Sequence, residues 1–294
     1  MRVLLAEYAT VHDPILAPEG AAMADALERS FLATGHEVVR PDPGDFLEEI
    51  QRLAPGCDAG LVVAPDDLLP AFTRALENAT HNLGCGSTNA ALCANKRLTS
   101  RILTSHGIPV PPAGTGNVHV LKPARGCGAC GVRLTDAPPA EDEIAQQFIH
   151  GDHLSVSLIG SRIVGEACLY YSGNPPTVLA LNRQDIVLRN GKFSYLGGWT
   201  PVDHPRREEI VDVACRAVTV MGCQGYAGVD VIVGENVYVV DINPRITTSL
   251  VGIAHVMDEE IADLLIRASK GETLHPVHLH GQVHFTTNGR VVAA

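Results

Sequence analysis

Lysine is scarce in this chain, and so are aromatic residues and long apolar runs. Of the 22 basic residues only those at positions 96, 122, 192 and 270 are lysines, and aromatic residues make up 4% of the chain. The formal net charge of −11 argues against a nucleic-acid partner, because a phosphate backbone needs clustered basic side chains. No apolar stretch approaches the roughly 20 residues of a membrane-spanning helix, and the N-terminus does not resemble a signal peptide. We therefore expect a cytoplasmic protein without a nucleic-acid or membrane partner, although an anionic small molecule needs only a local basic site.

The cysteines and histidines do not form a complete metal-binding pattern. Eight cysteines are scattered along the chain, and in a reducing compartment most would be small buried apolar residues. Cys127 and Cys130 have the spacing of half a zinc site, but no second cysteine pair or close histidine pair completes it. His275, His278 and His280 could hold a metal, although alternation along a strand explains their spacing better.

The first 90 residues predict an α/β domain. Apolar runs indicate strands at 2–7, 37–40 and 59–64, and helical spacing indicates helices at 21–34, 46–53 and 68–78. This β-α-β-α order predicts a small parallel sheet covered by helices.

The remainder predicts an α+β arrangement with more antiparallel pairing. A long helix at 89–106 ends at Gly107, and a proline-rich link follows at 108–112. Strands are predicted at 118–122, 132–134 and 146–149, a hairpin pairs 153–159 with 162–171, and helices follow at 206–221 and 258–269. We predict three parts of the chain: an N-terminal domain at 1–90, a central subdomain at 91–150 and a C-terminal subdomain at 151–294.

Two aspartates face each other across a predicted hairpin. Residues 230–241 read as two apolar strands joined at Glu235 and Asn236, so that Gly234 pairs with Val237 and Asp230 lies opposite Asp241. We expect Ile232 and Val239 on the same face, with Asn243 following on that side. Carboxylates about 5 Å apart in apolar surroundings repel unless a proton or a cation lies between them. These residues suit Mg²⁺, while a solvated hairpin end is the alternative.

A glycine-rich loop follows the strand that carries Lys122. Residues 126–131 read Gly-Cys-Gly-Ala-Cys-Gly, and backbone N–H groups in such a loop can approach phosphates closely. A flexible turn is the alternative, because neither the spacing nor a following helix matches a P-loop. Lys122 could reach the same anion, and Lys96 adds a second cation from the preceding helix.

The order of these features resembles the ATP-grasp superfamily of carboxylate–amine ligases, from about residue 90 to about residue 255. The resemblance rests on the helical lysine, the links Gly-Ile-Pro-Val-Pro and Leu-Lys-Pro, the glycine loop, Gln-Gln-Phe-Ile-His-Gly and Asp-Ile-Asn-Pro-Arg. Residues 1–90 resemble the domain that precedes this fold in relatives. Ala-Glu-Tyr-Ala, Pro-Glu-Gly and segments 151–157 and 241–249 are similar to the tyramine–glutamate ligase family, which acts in methanofuran-type cofactor synthesis and has tyrosine-using relatives.

The resemblance implies roles for individual residues. ATP would be held by Lys96, Lys122, Gly126, Gly128, Gly131, Gln146, Gln147, Phe148, Ile149 and His153. Mg²⁺, or Mn²⁺ in its place, would be held by Asp230, Asp241 and Asn243. Arg183 and Arg245 would neutralise charge during phosphoryl transfer, and the acid and amine substrates would contact Glu7, Glu19, Thr247, Thr248 and Ser249.

Several positions depart from the family pattern. His153 stands where many relatives have a ribose-binding glutamate, and Asp241 replaces a commoner glutamate. Gly228 stands where some ligases have a phosphate-binding arginine, so we expect Arg183 to supply that charge, a surface-loop arginine being the alternative.

The resemblance implies an ATP-dependent ligase that joins the γ-carboxylate of glutamate to an aromatic amine. Three alternatives remain at this point: an ATP-grasp ligase for another acid and amine, a kinase, and a non-catalytic nucleotide-binding module. The sequence leaves the amine, the number of glutamates added and a homo-oligomeric state open.

Overall fold

The computed structural model describes residues 1–114, 116, 118–126, 131–161 and 174–293. The N-terminal part forms a parallel sheet with the strand order β2-β1-β3-β4. Its elements are β1 (Arg2–Glu7), α1 (Ala9–His12), α2 (Ala17–Ala33), β2 (Glu37–Val39), α3 (Phe46–Leu53), β3 (Ala59–Val63), α4 (Leu69–Glu77) and β4 (His81–Asn82). β3 is buried along its whole length, as expected for a parallel strand covered on both faces. The predicted α/β start is confirmed.

Ten of the described strands form a second, antiparallel sheet. Eight follow the order β12-β11-β8-β9-β10-β6-β5-β7, while β13 pairs with β10 and β14. The elements are α5 (Ser87–Cys93), α6 (Lys96–Ser105), β5 (His119–Pro123), β6 (Arg133–Thr135), β7 (Glu143–Gln146), β8 (Asp152–Gly160), β9 (Thr177–Arg189), β10 (Lys192–Thr200), α7 (Arg207–Met221), β11 (Gly225–Val233), β12 (Val237–Asn243), α8 (Ser249–Val256), α9 (Ile261–Ser269), β13 (Val283–Thr286) and β14 (Val291–Ala293). The predicted α+β continuation is confirmed, while the boundaries at 90 and 150 stay predictions.

The long helix predicted at 89–106 is wrong, because the chain forms two helices there. Asn95 has an extended backbone, and its side chain accepts a hydrogen bond from the backbone N–H of Leu98 at 3.1 Å. This is an N-cap, so α6 begins afresh at Lys96. Lys96 is therefore held at the first turn of a helix, where its direction is set by the cap.

Other strand predictions need correction. The strand predicted at 146–149 ends at Gln146, and the following residues 147–150 have no regular structure. The tail at 275–280 is not a strand, because it contributes one isolated bridge, between Leu279 and Met257. The strand predicted at 162–171 lies outside the described residues. α1, β4, β9, β10, α8, β13 and β14 were not predicted.

Buried clusters connect the two sheets. Leu27 and Phe31 of α2 pack in one cluster with Leu250 of α8 and Leu265 of α9. Each fully buried side chain of this kind contributes about 1.5–3 kcal/mol. A second cluster packs α7 against β8, β11 and β12. In the described ranges no helix is both long and apolar enough to span a bilayer.

Candidate functional site

The β11–β12 hairpin carries the paired aspartates. Asp230 lies opposite Asp241, as predicted. Between this pair and the turn, the pairing of the two strands is shifted by one residue. Val231 pairs with Val239, which leaves Val240 as a bulge, and Val237 pairs with Val233 and not with Gly234 as predicted. The prediction that Val239 shares the face of Asp230 is therefore wrong: Val239 is buried in the core, while Val240 and Asp241 line a cavity.

Both predicted lysines reach this hairpin. The ammonium group of Lys96 forms an ion pair with Oδ2 of Asp241. Nζ of Lys122 donates to the carbonyl oxygen of Val240 at 2.7 Å. The bulge turns that carbonyl toward β5, so it connects the hairpin to a strand on the far side of the cavity.

Asp230 receives two further side-chain hydrogen bonds. Nε2 of Gln184 donates to Oδ1 at 2.8 Å, and Nδ2 of Asn243 donates to Oδ2 at 3.2 Å. Gln184 was not predicted as a site residue. It lies in β9, a strand whose burial does not alternate regularly, so the sequence pattern did not point to it.

Burial and neighbouring charges separate the two carboxyl groups. Burial, together with the negative charge of Asp241, raises the pKa of Asp230 to about 7. Burial also acts on Asp241, but the ammonium groups of Lys96 and Lys122 hold the pKa of that carboxyl below its usual range. Burial lowers the pKa of Lys122 to about 8. The site thus holds a firmly ionised Asp241 beside a carboxyl group that a cation would help to ionise.

The carboxylates and lysines line a cavity of about 220 Å³. Most predicted site residues line it: Glu19, Lys96, Lys122, Gln146, Gln147, Phe148, Ile149, His153, Asp230, Asp241, Asn243, Arg245, Thr247, Thr248 and Ser249. Burial lowers the pKa of His153, so this ring is held neutral where the family pattern has a glutamate. The structure therefore brings side chains from all three predicted parts of the chain into one space.

Arg245 joins this cavity to the N-terminal sheet. Its Nε pairs with Oδ1 of Asp66 at 2.8 Å, and its Nη2 donates to Oδ1 of Asn243 at 3.4 Å. The Asp66 side chain is only 3% exposed, so the ion pair is buried. Asp66 follows β3 and was not predicted, because no local pattern indicates a partner so distant in sequence.

Arg183 does not reach the cavity. Its guanidinium group lies 5.4 Å from the ring centroid of Trp199, and its side chain is 54% exposed. Asp185 is its nearest carboxylate, at 3.6 Å. In this structure Arg183 does not replace the arginine that some ligases have at position 228.

Gly228 makes room for Thr247. The hydroxyl groups of Thr247 and Tyr226 are 2.9 Å apart, and Tyr226 also donates to Oγ of Ser157 at 2.9 Å. A Cβ atom at position 228 would lie 2.7 Å from Cγ2 of Thr247. A larger residue at this position would displace Thr247 from the cavity wall.

Gly228→Ala is expected to destabilise the protein by about 1–3 kcal/mol, because overpacking forces Thr247 off its hydrogen bond. Thermal unfolding of the variant measures this, with Gly44→Ala as the control, since nothing lies within 4 Å of a Cβ at Gly44. An unchanged unfolding temperature for Gly228→Ala would contradict the packing role of this glycine.

A second cavity, of about 730 Å³, adjoins the first. The two share Glu19, Phe193, Tyr195 and Arg245. Aromatic rings form part of its wall, and Tyr8 stacks on His12 with centroids 4.8 Å apart. The shared residues therefore mark the place where ligands in the two cavities would meet.

The two predicted glutamates differ in how their oxygens are used. Glu7 accepts hydrogen bonds from the backbone N–H groups of Ala9 at 2.7 Å and Thr10 at 2.9 Å, so it caps α1. Glu19 accepts a hydrogen bond from the hydroxyl of Thr248 and lines both cavities. Glu19 thus remains accessible to a ligand, whereas Glu7 is committed to the backbone.

Only part of the glycine loop is described. Gly126 lines the second cavity and has φ of 127°, and Gly131 has φ of 75°, conformations that favour glycine. Gly128, and with it the half zinc site at Cys127 and Cys130, lies outside the described residues.

The donor set fits a hard cation. Asp230 and Asp241 supply carboxylates and Asn243 an amide, and Mg²⁺ accepts few protein oxygens because it keeps waters and phosphate oxygens as other ligands. Among the described residues no group of three or more His, Cys, Asp or Glu is arranged to hold a metal. In this structure Asn243 presents Nδ2 to Asp230, so its amide would have to turn to offer oxygen there.

Comparison with known proteins identifies the family. A family model described as an ATP-grasp domain matches residues 93–249. Tyramine–L-glutamate ligases from Methanocaldococcus fervens and Methanocaldococcus jannaschii are each 34% identical over 222 residues, or 74% of this chain, and the match covers 68% and 64% of their lengths. The solved structure of a protein assigned to the ATP-grasp superfamily from Archaeoglobus fulgidus superimposes with a TM-score of 0.77 at 28% identity, over 97% of this chain and 92% of that chain. The predicted fold is confirmed, and the chain belongs to the ATP-grasp superfamily of ATP-dependent carboxylate–amine ligases, in the family that includes the tyramine–L-glutamate ligases.

Proposed function

We propose that this ligase joins the γ-carboxylate of glutamate to an aromatic amine, tyramine or tyrosine, in the synthesis of a methanofuran-type one-carbon carrier. The observation that carries the proposal is the junction of the two cavities at Glu19, Tyr195 and Arg245. A nucleotide cavity and an aromatic-walled cavity that meet at charged residues suit transfer between bound substrates. The similarity to tyramine–L-glutamate ligases supports the choice of acid and amine.

The first cavity would hold ATP. Lys96 and Lys122 would contact the phosphates, and the segment at 146–149 would hold adenine largely through its backbone. Asp230, Asp241 and Asn243 would hold Mg²⁺, which when bound supplies positive charge to the phosphate oxygens. The raised pKa of Asp230, due to burial and Asp241, supports this assignment because a cation at the pair would remove their repulsion.

In the proposed reaction the γ-phosphoryl group of ATP passes to the glutamate γ-carboxylate, giving an acyl phosphate and ADP. The amine then attacks the acyl carbon, phosphate leaves, and the ammonium proton is lost to solvent or to a carboxylate. Because ATP activates the acid, no side chain has to act as a nucleophile. The protein contributes positioning and positive charge from Lys122 and Arg245.

The amine end of the reaction would lie at Glu19. This carboxylate is placed where the aromatic-walled cavity opens onto the nucleotide cavity, and one of its oxygens is held by Thr248. An ammonium group approaching from the aromatic side would meet Glu19 before it reached the phosphates. Glu19 would therefore orient the amine toward the activated acid.

Glu19→Gln is expected to raise the KM for the amine by about 10- to 100-fold, because the charge-assisted contact to the ammonium group is lost. Steady-state kinetics at saturating ATP and glutamate measures the change. Glu7→Gln is the matched control: it weakens the cap of α1, so it should lower thermal stability without a selective rise in that KM. A selective rise in Glu7→Gln with none in Glu19→Gln would reverse the assignment.

The proposed function is tested by phosphate release with ATP, Mg²⁺ and glutamate across a panel of amines that includes tyramine and tyrosine. Phosphate release matched by the mass of a new amide would establish the acid and the amine. Phosphate transfer to the acid or amine without an amide would indicate a kinase. ATP binding without stimulated hydrolysis by any acid and amine would indicate a nucleotide-binding module.

A further inference from the structure

Four lysine and arginine side chains line the two cavities in the described part of the chain. Three of them are engaged by other groups of the protein. The contacts are Lys96 with the carboxylate of Asp241, Lys122 with the carbonyl oxygen of Val240, and Arg245 with the carboxylate of Asp66. The fourth is Arg125.

Arg125 stands apart from these three. It follows β5, lines the second cavity and is exposed. Within the described ranges it has neither a hydrogen bond nor an ion pair. An arginine presents a planar fork of donors that matches a carboxylate with two parallel hydrogen bonds. The second cavity therefore has a cation whose matching anion is not supplied by any described residue.

The acidic residues of the same cavity do not fill that role. Glu7 is bound by backbone N–H groups, Glu19 by Thr248, and Asp13 by the backbone N–H groups of Ile15 and Leu16. Asp67 also lines this cavity, and it forms no ion pair with Arg125. These carboxylates give the cavity a negative lining. A substrate carboxylate that enters this cavity would be repelled unless a cation is available to pair with it.

We propose that Arg125 binds the α-carboxylate of an amino-acid substrate in the second cavity. The inference rests on the proposed function and deepens it, because the γ-carboxylate of glutamate would be at the phosphates while its α-carboxylate lies several bonds away and needs a separate partner. The same chemistry could come from the carboxylate of tyrosine. Arg125 is then a specificity-determining residue that distinguishes amino acids from substrates without the α-carboxylate.

The test compares substrates that differ only in this group. L-Glutamate is compared with its α-amide, and tyrosine with tyramine, using the native enzyme, Arg125→Gln and the control Arg101→Gln. Arg101 is an exposed arginine of α6 that lines neither cavity. In one of the two pairs, we expect Arg125→Gln to reduce kcat/KM for the compound that carries the carboxylate by about 10- to 100-fold. The value for the compound that lacks the carboxylate should stay nearly unchanged.

The pair that responds identifies the source of the carboxylate. A selective loss with glutamate assigns Arg125 to the acid substrate, and a selective loss with tyrosine assigns it to the amine substrate. Equal effects on both members of both pairs, no effect, or a change confined to the KM for ATP would overturn the inference.

A failure of the proposed function is distinguishable from a failure of this inference. If the native enzyme forms no amide from these substrates, the proposed acid and amine are wrong. The same four compounds are then titrated calorimetrically into native and Arg125→Gln protein loaded with ADP. Binding that requires both the carboxylate and Arg125 supports the inference, and its absence overturns it.

Discussion

Asp241→Asn is expected to reduce ATP-dependent ligation on the order of 10³-fold while the chain stays folded. Asparagine has nearly the same size and can still accept a hydrogen bond from Lys96, so the packing of the buried pair survives. The negative charge does not survive. In the native site that charge is maintained by Lys96 and Lys122, which hold the pKa of Asp241 below its usual range although burial opposes them. The variant would leave the proposed metal site with one carboxylate.

Phosphate release at saturating substrates measures the loss, and circular dichroism with thermal unfolding checks the fold. Glu235→Gln is the control, because Glu235 is an exposed acidic residue at the turn of the same hairpin. Near-native activity in Asp241→Asn would remove this residue from the metal site. Asn243→Ala should also reduce turnover, by loss of the amide from the same site.

Lys122→Ala is expected to weaken nucleotide binding by about 10²-fold, with a smaller effect on turnover at saturating ATP. The side chain is buried, and its ammonium group is held by the carbonyl of the Val240 bulge at the wall of the first cavity. Alanine removes this cation from the place where phosphates would bind. Lys192→Ala, at an exposed position of β10, is the control with the same change in charge.

The pH dependence of nucleotide binding gives a second measurement for Lys122. Burial lowers its pKa to about 8, so the group is charged below that pH and loses its charge as pH rises through it. Affinity for ADP in the native protein should therefore fall as pH rises through about 8, and Lys122→Ala should lack this component. If Lys122→Ala bound ADP as tightly as the native protein at every pH in this range, Lys122 would be excluded from the nucleotide site.

The paired aspartates could be predicted because their positions depend on local geometry. Alternation along two strands and a short turn are enough to place Asp230 opposite Asp241. The bulge at Val240 could not be predicted in the same way, because its carbonyl is bound by Lys122, which lies 118 positions away. The register of the outer hairpin consequently differs from the regular ladder that the pattern favours.

Gln184 and Asp66 show a second reason for incomplete prediction. Gln184 lies in β9, a strand of 13 residues whose burial does not alternate regularly, so its apolar pattern did not indicate a strand. Asp66 pairs with Arg245 across 179 positions of sequence. Long-range contacts of this kind depend on how sheets pack, and no short motif encodes them.

The sequence contains the signal for the break between α5 and α6. Asn95 precedes Lys96, and an asparagine at that position is a strong N-cap that starts a helix. The break was not predicted because helical spacing is present on both sides of Asn95, and this spacing alone does not indicate where a helix begins.

The Arg245–Asp66 ion pair limits where this enzyme can be divided into fragments. A polypeptide cut at the predicted boundary near residue 90 would retain both lysines, both aspartates and Arg245, yet it would lose the Asp66 carboxylate that holds the guanidinium group. It would also uncover Leu250 and Leu265, which Leu27 and Phe31 cover in the intact chain. The proposed ATP and Mg²⁺ ligands thus lie after residue 90, whereas Glu19 and the Asp66 carboxylate that holds Arg245 lie before it. A minimal active fragment, or a chimera with another ligase, has to keep the N-terminal segment and exchange it as one unit with its docking surface.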